Sequence, residues 1–478
     1  MKSQANVYKW STIDRVCNTA ITFGGNIALA RLLSPDDFGL LAMVAIFTAI
    51  AYNLSSCGMS DGIIKKLHPT ADDYSTVFTF NALSGVVFCA LFIITARPVA
   101  AFFGQPALVG IMWAIGICFV FQVMWFIQET KLRKQLDMKK IAIVRVSASA
   151  SAVGLGIILA LTGYGYWGLV SCRIFLSVFL FVYYVIATRW IPRLGFNRTS
   201  FNEMFGFGVN LMLAYVVNQV SRNINTFVLG RFSPSESGIF SQAQKMEEVP
   251  YSMVDNIINS SFFAIISNES DRENRRKLST QMLGWITTLT VTVGLMLTLL
   301  AAPGFNLLFG EKWDDAVPVF RILIFFGIGS AIKYYFQAVM KSYGRTRRIL
   351  QLTVVEITLQ LGLLACLFRF GMIWIAWTQV AGVVLILAFY AREYCRIEQI
   401  RFMRMARIAV RDLGIPMAAF AVTAAGYWLW NDVINSFLNC VLTLSCFTAF
   451  ALLLWELHPN PLYLRCRNAV LSRIGLQK

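Results

Sequence analysis

The chain has 478 residues, of which 57% are hydrophobic and only 14% charged. A water-facing surface needs about 25% charged residues, so this composition excludes a soluble fold and implies a membrane protein. Its net charge of +17 would point a soluble chain toward nucleic acid, but in a membrane chain the basic residues must first be sorted by side.

The N-terminal MKSQANVYKW runs into an apolar stretch too long for a signal-peptide core and lacks an A-x-A site, so the first segment is expected to stay as a helix. A helix needs about 20 apolar residues to cross the hydrocarbon. Runs of that kind predict fourteen spans, at about 10–33, 38–64, 74–96, 107–128, 139–162, 166–188, 204–230, 237–265, 278–302, 316–341, 348–369, 372–391, 412–430 and 435–455. The ten cysteines form no C-x-x-C pair and lie mostly inside these runs, which reads as packing rather than metal ligation or disulfides.

Orientation follows from Lys and Arg in short loops. With the N-terminus in the cytoplasm, 30 of the 42 basic residues fall in inside segments and five in outside ones. The expected topology is therefore N-in and C-in. The basic excess is then an insertion signal spread over the loops and the tail, and nucleic acid is not expected as a partner.

Three outside turns recur in order. LSPDDFGLL after the first span matches FSPSESGIF after the seventh, with Ser34, Pro35, Asp37 and Gly39 corresponding to Ser233, Pro234, Glu236 and Gly238, an offset of 199. Phe103-Gly104 matches Phe309-Gly310, and Gly165 matches Gly371, both at an offset of 206. Each SP turn reads as a helix start, with Ser and the acid capping backbone N–H groups and Pro in the first turn. Their recurrence requires a duplication. Six crossings return the chain to its starting side, so the halves are parallel repeats about an axis along the membrane normal. The expected architecture is an all-α polytopic membrane protein of about 14 helices. It comprises an N-lobe at 1–190, a C-lobe at 200–395, and a basic loop, two extra helices and a cytoplasmic tail at 396–478.

Two six-helix lobes with an extra pair, the SP-x-D-x-G-L-L turn, FGLLAMVAIFTAIAYNLSSCGMSDGIIKK (38–66) and LFGEKWDDAVPVFRIL before the tenth span together resemble the polysaccharide transporter family of the MOP flippase superfamily. Within it, the chain is most similar to the Wzx-type exporters of exopolysaccharide and O-antigen repeat units, of the colanic acid exporter type. The resemblance implies a flippase of the bacterial inner membrane that moves undecaprenyl-pyrophosphate-linked oligosaccharide to the periplasmic leaflet. Membrane lipids and a polysaccharide polymerase are its implied partners. No fixed catalytic residues come with it.

Candidate site residues come from the spans themselves, because a charge at the bilayer centre needs a watery cavity or a partner. Seven basic residues are intramembrane: Arg15, Arg145, Arg173, Arg222, Lys245, Arg321 and Lys333. Ser11, Arg15, Asn18, Thr22 and Asn26 lie on one stripe of the first helix. Asn218, Arg222 and Asn225 do so on the seventh, and Lys245, Glu248, Ser252, Asp255 and Asn259 on the eighth. Arg15, Asn18, Asn218, Arg222 and Lys245 are the expected lining of a cationic cavity between the lobes, suited to a pyrophosphate that arginine binds bidentately. Tyr52 could stack on sugar. Asp255, Glu356 and Glu248 are candidates for coupling to a proton or sodium gradient. The alternatives are an Arg222–Glu248 pair and a salt bridge from Glu356 to a neighbouring helix.

No metal-ligand cluster, nucleotide loop or nucleophile motif appears, so neither a cofactor nor catalysis is expected. A cation-coupled multidrug exporter, or an exporter of another lipid-linked precursor in the same superfamily, is the alternative. The multidrug version would want an anionic cavity. A membrane glycosyltransferase or polymerase would want a soluble domain or a long outer loop, and no outer loop here exceeds roughly 15 residues.

Overall fold

A computed structural model of the chain describes residues 4–56, 59–66, 68–190, 193–258, 262, 266, 269, 271–430 and 435–457. Among these, helix is nearly everything and no strand occurs. The chain divides into two compact units, Met1–Ser241 and Gln242–Lys478.

The first unit contains α1 (Gln4–Leu32), α2 (Pro35–Ser56), the short α3 (Met59–Lys65), α4 (Ala71–Phe103), α5 (Ala107–Met124), α6 (Phe126–Lys134), α7 (Met138–Leu161), α8 (Trp167–Thr188) and α9 (Arg198–Phe232). The division falls inside α10 (Pro234–Ile257). The second unit continues with α11 (Arg272–Phe309), α12 (Ala316–Ser342), α13 (Thr346–Leu367), α14 (Met372–Glu398), α15 (Phe402–Val410), α16 (Gly414–Trp430) and α17 (Ser436–Leu457).

Each of the fourteen predicted spans overlaps at least one of these helices, although 38–64 runs over both α2 and α3, 107–128 over both α5 and α6, and 237–265 beyond the end of α10. Ten described helical stretches are long and apolar enough to cross a membrane, eleven if the bent pair α15 and α16 is one span. The three that miss this criterion are α1, α9 and α10. These are the helices that carry the polar stripes, which dilute their hydropathy. The chain is a multi-pass membrane protein.

Packing within the first unit uses close backbone approach, as expected where lipid is as apolar as the side chains and van der Waals contact drives association. α4 packs on α5, α7 on α8 and α1 on α7. A Cβ on Gly156 would reach 2.8 Å from Gly168 O, so α7 and α8 approach through paired glycines. Phe92, Phe103, Phe119, Trp125 and Tyr184 fill the interior. In the second unit Tyr251, Tyr335, Phe336, Tyr390 and Tyr394 do the same. Tyr335 OH donates to Ser279 O at 2.6 Å, which satisfies a buried hydroxyl.

The repeated turns have the expected caps. Pro35 and Pro234 open α2 and α10. Ser34 N–H donates to Asp37 Oδ2 at 2.9 Å and Asp37 N–H to Ser34 Oγ at 3.3 Å, a capping box. In the copy, Glu236 N–H donates to Ser233 Oγ at 3.3 Å. The other matched glycines, Gly104 with Gly310 and Gly165 with Gly371, all take positive φ, a conformation glycine adopts without penalty.

The two SP turns also touch each other. A Cβ on Gly39 would stand 1.8 Å from Pro234 O, and one on Gly238 would stand 2.0 Å from Pro35 O. The contact is reciprocal: each turn's glycine receives the other's proline carbonyl. Nearby, Phe227 of α9 packs with Phe47 of α2 and with Phe102 and Phe103 of α4 at centroid distances of 5.2–5.8 Å.

Candidate functional site

The first unit holds a cavity of about 360 Å³, lined by Ser11, Asp14, Arg15, Asn18, Thr19, Arg133, Met138, Ile141 and Arg145. Three elements build it. α1 contributes its polar stripe, α6 its C-terminal end, and α7 its first two turns. The α6–α7 turn carries the basic run KLRKQLDMKK, which the charge rule assigns to the cytoplasmic side.

Behind the cavity wall, Glu129 organises the charges. It is buried on α6, one turn after the junction at Trp125 that separates α5 from α6. Its carboxylate accepts from Arg133 Nε at 2.7 Å, from Arg145 Nη2 at 2.8 Å, and from the Tyr184 hydroxyl at 2.9 Å. Arg145 also reaches Asp14 Oδ2 at 3.5 Å. Two guanidiniums and a phenol surround one carboxylate and leave it neither unpaired nor without hydrogen bonds, the condition for keeping a charge inside. On the lining itself, three guanidiniums (Arg15, Arg133, Arg145) face one carboxylate (Asp14), so the cavity is net cationic. Asn18 is fixed by Ser149, whose hydroxyl donates to Asn18 Oδ1 at 2.6 Å. Arg15 is exposed.

Of the predicted site residues, Arg15 and Asn18 line this cavity. Tyr52 of α2 is 37% exposed and packs edge-on against Phe126 at 5.0 Å. Arg222 is exposed on α9; in the second unit Lys245 and Glu248 are exposed on α10 and Asp255 is half-buried. None of these four belongs to the lining. The side chain of Asn218 and residue Asn259 lie outside what the structure describes. Glu356 of α13 meets Lys333 of α12, Nζ to Oε1 at 2.6 Å, the salt bridge that was its alternative reading.

Sequence reasoning missed Asp14, Glu129 and Arg133. The last two were assigned to a solvated loop, because the charged ETKLRK looks like one and the continuation of α5 into α6 is not visible in hydropathy. The available signal was the i, i+4 spacing of Glu129 and Arg133, which pairs them on a helix face.

The sequence profile of the family described as "polysaccharide biosynthesis protein" matches residues 28–318. The chain belongs to that family. Among similar proteins, the succinoglycan biosynthesis transport protein ExoT of Rhizobium meliloti (strain 1021) is 23% identical over 320 residues, covering 66% of this chain and 64% of that one. The lipopolysaccharide biosynthesis protein WzxC of Escherichia coli (strain K12) is 24% identical over 329 residues, covering 67% and 66%. The teichuronic acid biosynthesis protein TuaB of Bacillus subtilis (strain 168) is 22% identical over 324 residues, covering 67% of each chain. The match thus spans about two thirds of the length of these relatives.

Among solved structures, the lipid II flippase MurJ in an inward closed conformation superposes with a TM-score of 0.73 at 13% identity, over 94% of this chain and 99% of that one. An inward-facing multidrug resistance MATE family transporter of the MOP superfamily superposes at 0.60 and 15% identity, over 80% and 96%. At these identities the likeness is one of fold. This member of the polysaccharide biosynthesis family therefore shares the helical fold of these two transporters.

Proposed function

We propose that the protein is a flippase that carries undecaprenyl-pyrophosphate-linked oligosaccharide units across the bacterial inner membrane for exopolysaccharide or lipopolysaccharide synthesis. The observation that carries the proposal is the cationic cavity of the first unit. A pyrophosphate concentrates negative charge, and the exposed Arg15 offers a guanidinium fork that matches it, with Arg133 and Arg145 adding positive charge beside it. Glu129 and Asp14 hold Arg145 in place, so its orientation is prepaid before a ligand arrives.

In this mechanism the headgroup enters the cavity from the cytoplasmic leaflet while the polyprenyl chain stays in lipid. The cavity lowers the cost of desolvating the diphosphate, and the lobes of the repeat, 1–190 and 200–395, alternate access around it with Arg222, Lys245 and Asn218 lining the later path. All fourteen helices span, N-in and C-in; the polar stripes of α1, α9 and α10 then face water rather than lipid. Transport draws on a proton or sodium gradient through Asp255, Glu248 or Glu356. At Glu356 the Lys333 ammonium at 2.6 Å must leave before another cation binds. No step forms or breaks a substrate bond. A net cationic lining argues against export of cationic drugs, the alternative within the superfamily.

The test is an export assay in a strain lacking its own flippase, with insertion checked by immunoblot. Arg15→Ala is expected to cut polymer export at least about tenfold at normal protein level, the scale of one lost charged contact. Wild-type export by this variant removes the cavity from the pathway.

A further inference from the structure

Segment 401–411, RFMRMARIAVR, contains four arginines, no lysine and no acid. Most of it is α15, set between α14 and α16. At 100° per residue, Arg404, Arg407 and Arg411 fall within about 60° of one another, while Met403 and Val410 form the adjoining stripe. Met405 lies on the other side, buried, and receives the Cys395 thiol at 3.6 Å. Ile408 beside it lies over Gly284 of α11. One face thus fixes the helix to α11 and α14, and the remaining surface is presented outward. That surface is both basic and apolar: Met403 is 75% exposed, Val410 56% and Phe402 54%.

An insertion signal explains positive charge here, but it requires neither a stripe nor Arg in preference to Lys. It also gives no reason to expose a methionine, a valine and a phenylalanine beside the charges. Neighbouring basic residues behave differently: Arg276 and Lys277 at the start of α11 pair with Glu273. Among the described residues, Arg401, Arg404 and Arg407 have no carboxylate partner, and Arg411 has only the adjacent Asp412, its Nε 3.9 Å from Oδ1. A helix that follows the candidate span α14 and is bent by 42° from α16, with an arginine stripe flanked by exposed apolar side chains, matches an interface in which phosphate lies above hydrocarbon.

We propose that α15 is a binding site for anionic phospholipid of the cytoplasmic leaflet. Arg404, Arg407 and Arg411 hold lipid phosphates, and Met403 and Val410 enter the acyl region beside them. This site lies in the second unit, uses none of the residues assigned to the transported substrate, and stands whether or not the flippase reading holds.

The experiment is native mass spectrometry of the full chain in mild detergent, titrated with phosphatidylglycerol or phosphatidylcholine. Wild-type protein should retain phosphatidylglycerol several-fold better. The triple variant Arg404→Gln, Arg407→Gln, Arg411→Gln should lose most of that preference. A control removing equal charge from α11 (Arg272→Gln, Arg276→Gln, Lys277→Gln) should keep it. Met403→Ser with Val410→Ser leaves every insertion charge in place, so it should insert normally and retain either lipid several-fold less. Equal loss in the control, an undiminished preference in the triple variant, or unchanged retention in the Met403/Val410 pair overturns the proposal. Displacement of the lipid by inorganic pyrophosphate alone does so too, since it marks a simple anion site.

Discussion

At the scale of single residues, Glu129 and Arg15 separate structure from transport. Glu129 is a buried acceptor for Arg133, Arg145 and Tyr184, whereas Arg15 is an exposed member of the cavity lining. Removing one partner of a buried ion pair strands the other, at a cost of about 3–5 kcal/mol. Arg145→Ala is therefore expected to lower stability by that amount, read as a fall in unfolding midpoint in detergent, while Arg15→Ala shifts it by less than about 0.5 kcal/mol. Equal midpoints for the two variants would show that Glu129 does not depend on Arg145. The polar stripe of α1 was legible because Ser11, Arg15 and Asn18 keep helical spacing. The hub behind it was not, because whether a glutamate near a helix end is buried depends on which helices close over it, and this is a tertiary fact.

At the scale of elements, α13 is fastened to α12 by one buried charge pair. Lys333 and Glu356 have side-chain exposures of 8% and 14% and stand 2.6 Å apart. A buried pair is a poor source of net stability, since desolvation offsets most of the attraction, but breaking it is expensive. Lys333→Met alone should destabilise by about 3–5 kcal/mol, and the double change with Glu356→Leu should recover most of it. A double variant as unstable as the single would mean that the pair is not the fastening. The SP turns were correctly legible as capped helix starts, because capping is local chemistry. Their mutual contact was not legible, because nothing in a turn's sequence says what lies across from it. Gly39→Ala and Gly238→Ala each place a methyl within 2.0 Å of a backbone carbonyl that cannot move aside independently. Each should cost on the order of 2–3 kcal/mol by overpacking, seen as reduced folded yield at growth temperature. Normal yield from both would indicate that the two turns separate readily.

At the scale of the whole molecule, composition and hydropathy carried the reading furthest. Every expected span overlaps a described helix, ten or eleven helical stretches pass a hydropathy criterion, and the three that fail it are those with polar stripes, so the shortfall follows from the feature that made them candidates. Reporter fusions at Asp36 and Glu236 should both read periplasmic, and a fusion at Arg345 cytoplasmic. Opposite sides for the first two would break the parallel repeat.

The touching turns have a consequence for how such a chain can change. Duplication ordinarily leaves one copy free to drift while the other keeps the original role. Here each copy is part of the other's environment: Pro35 O occupies the space over Gly238, and Pro234 O the space over Gly39. Neither glycine can acquire a side chain while the opposite turn keeps its place. Two turns of matching sequence are thus held to the same shape by each other, and their likeness is here a steric constraint.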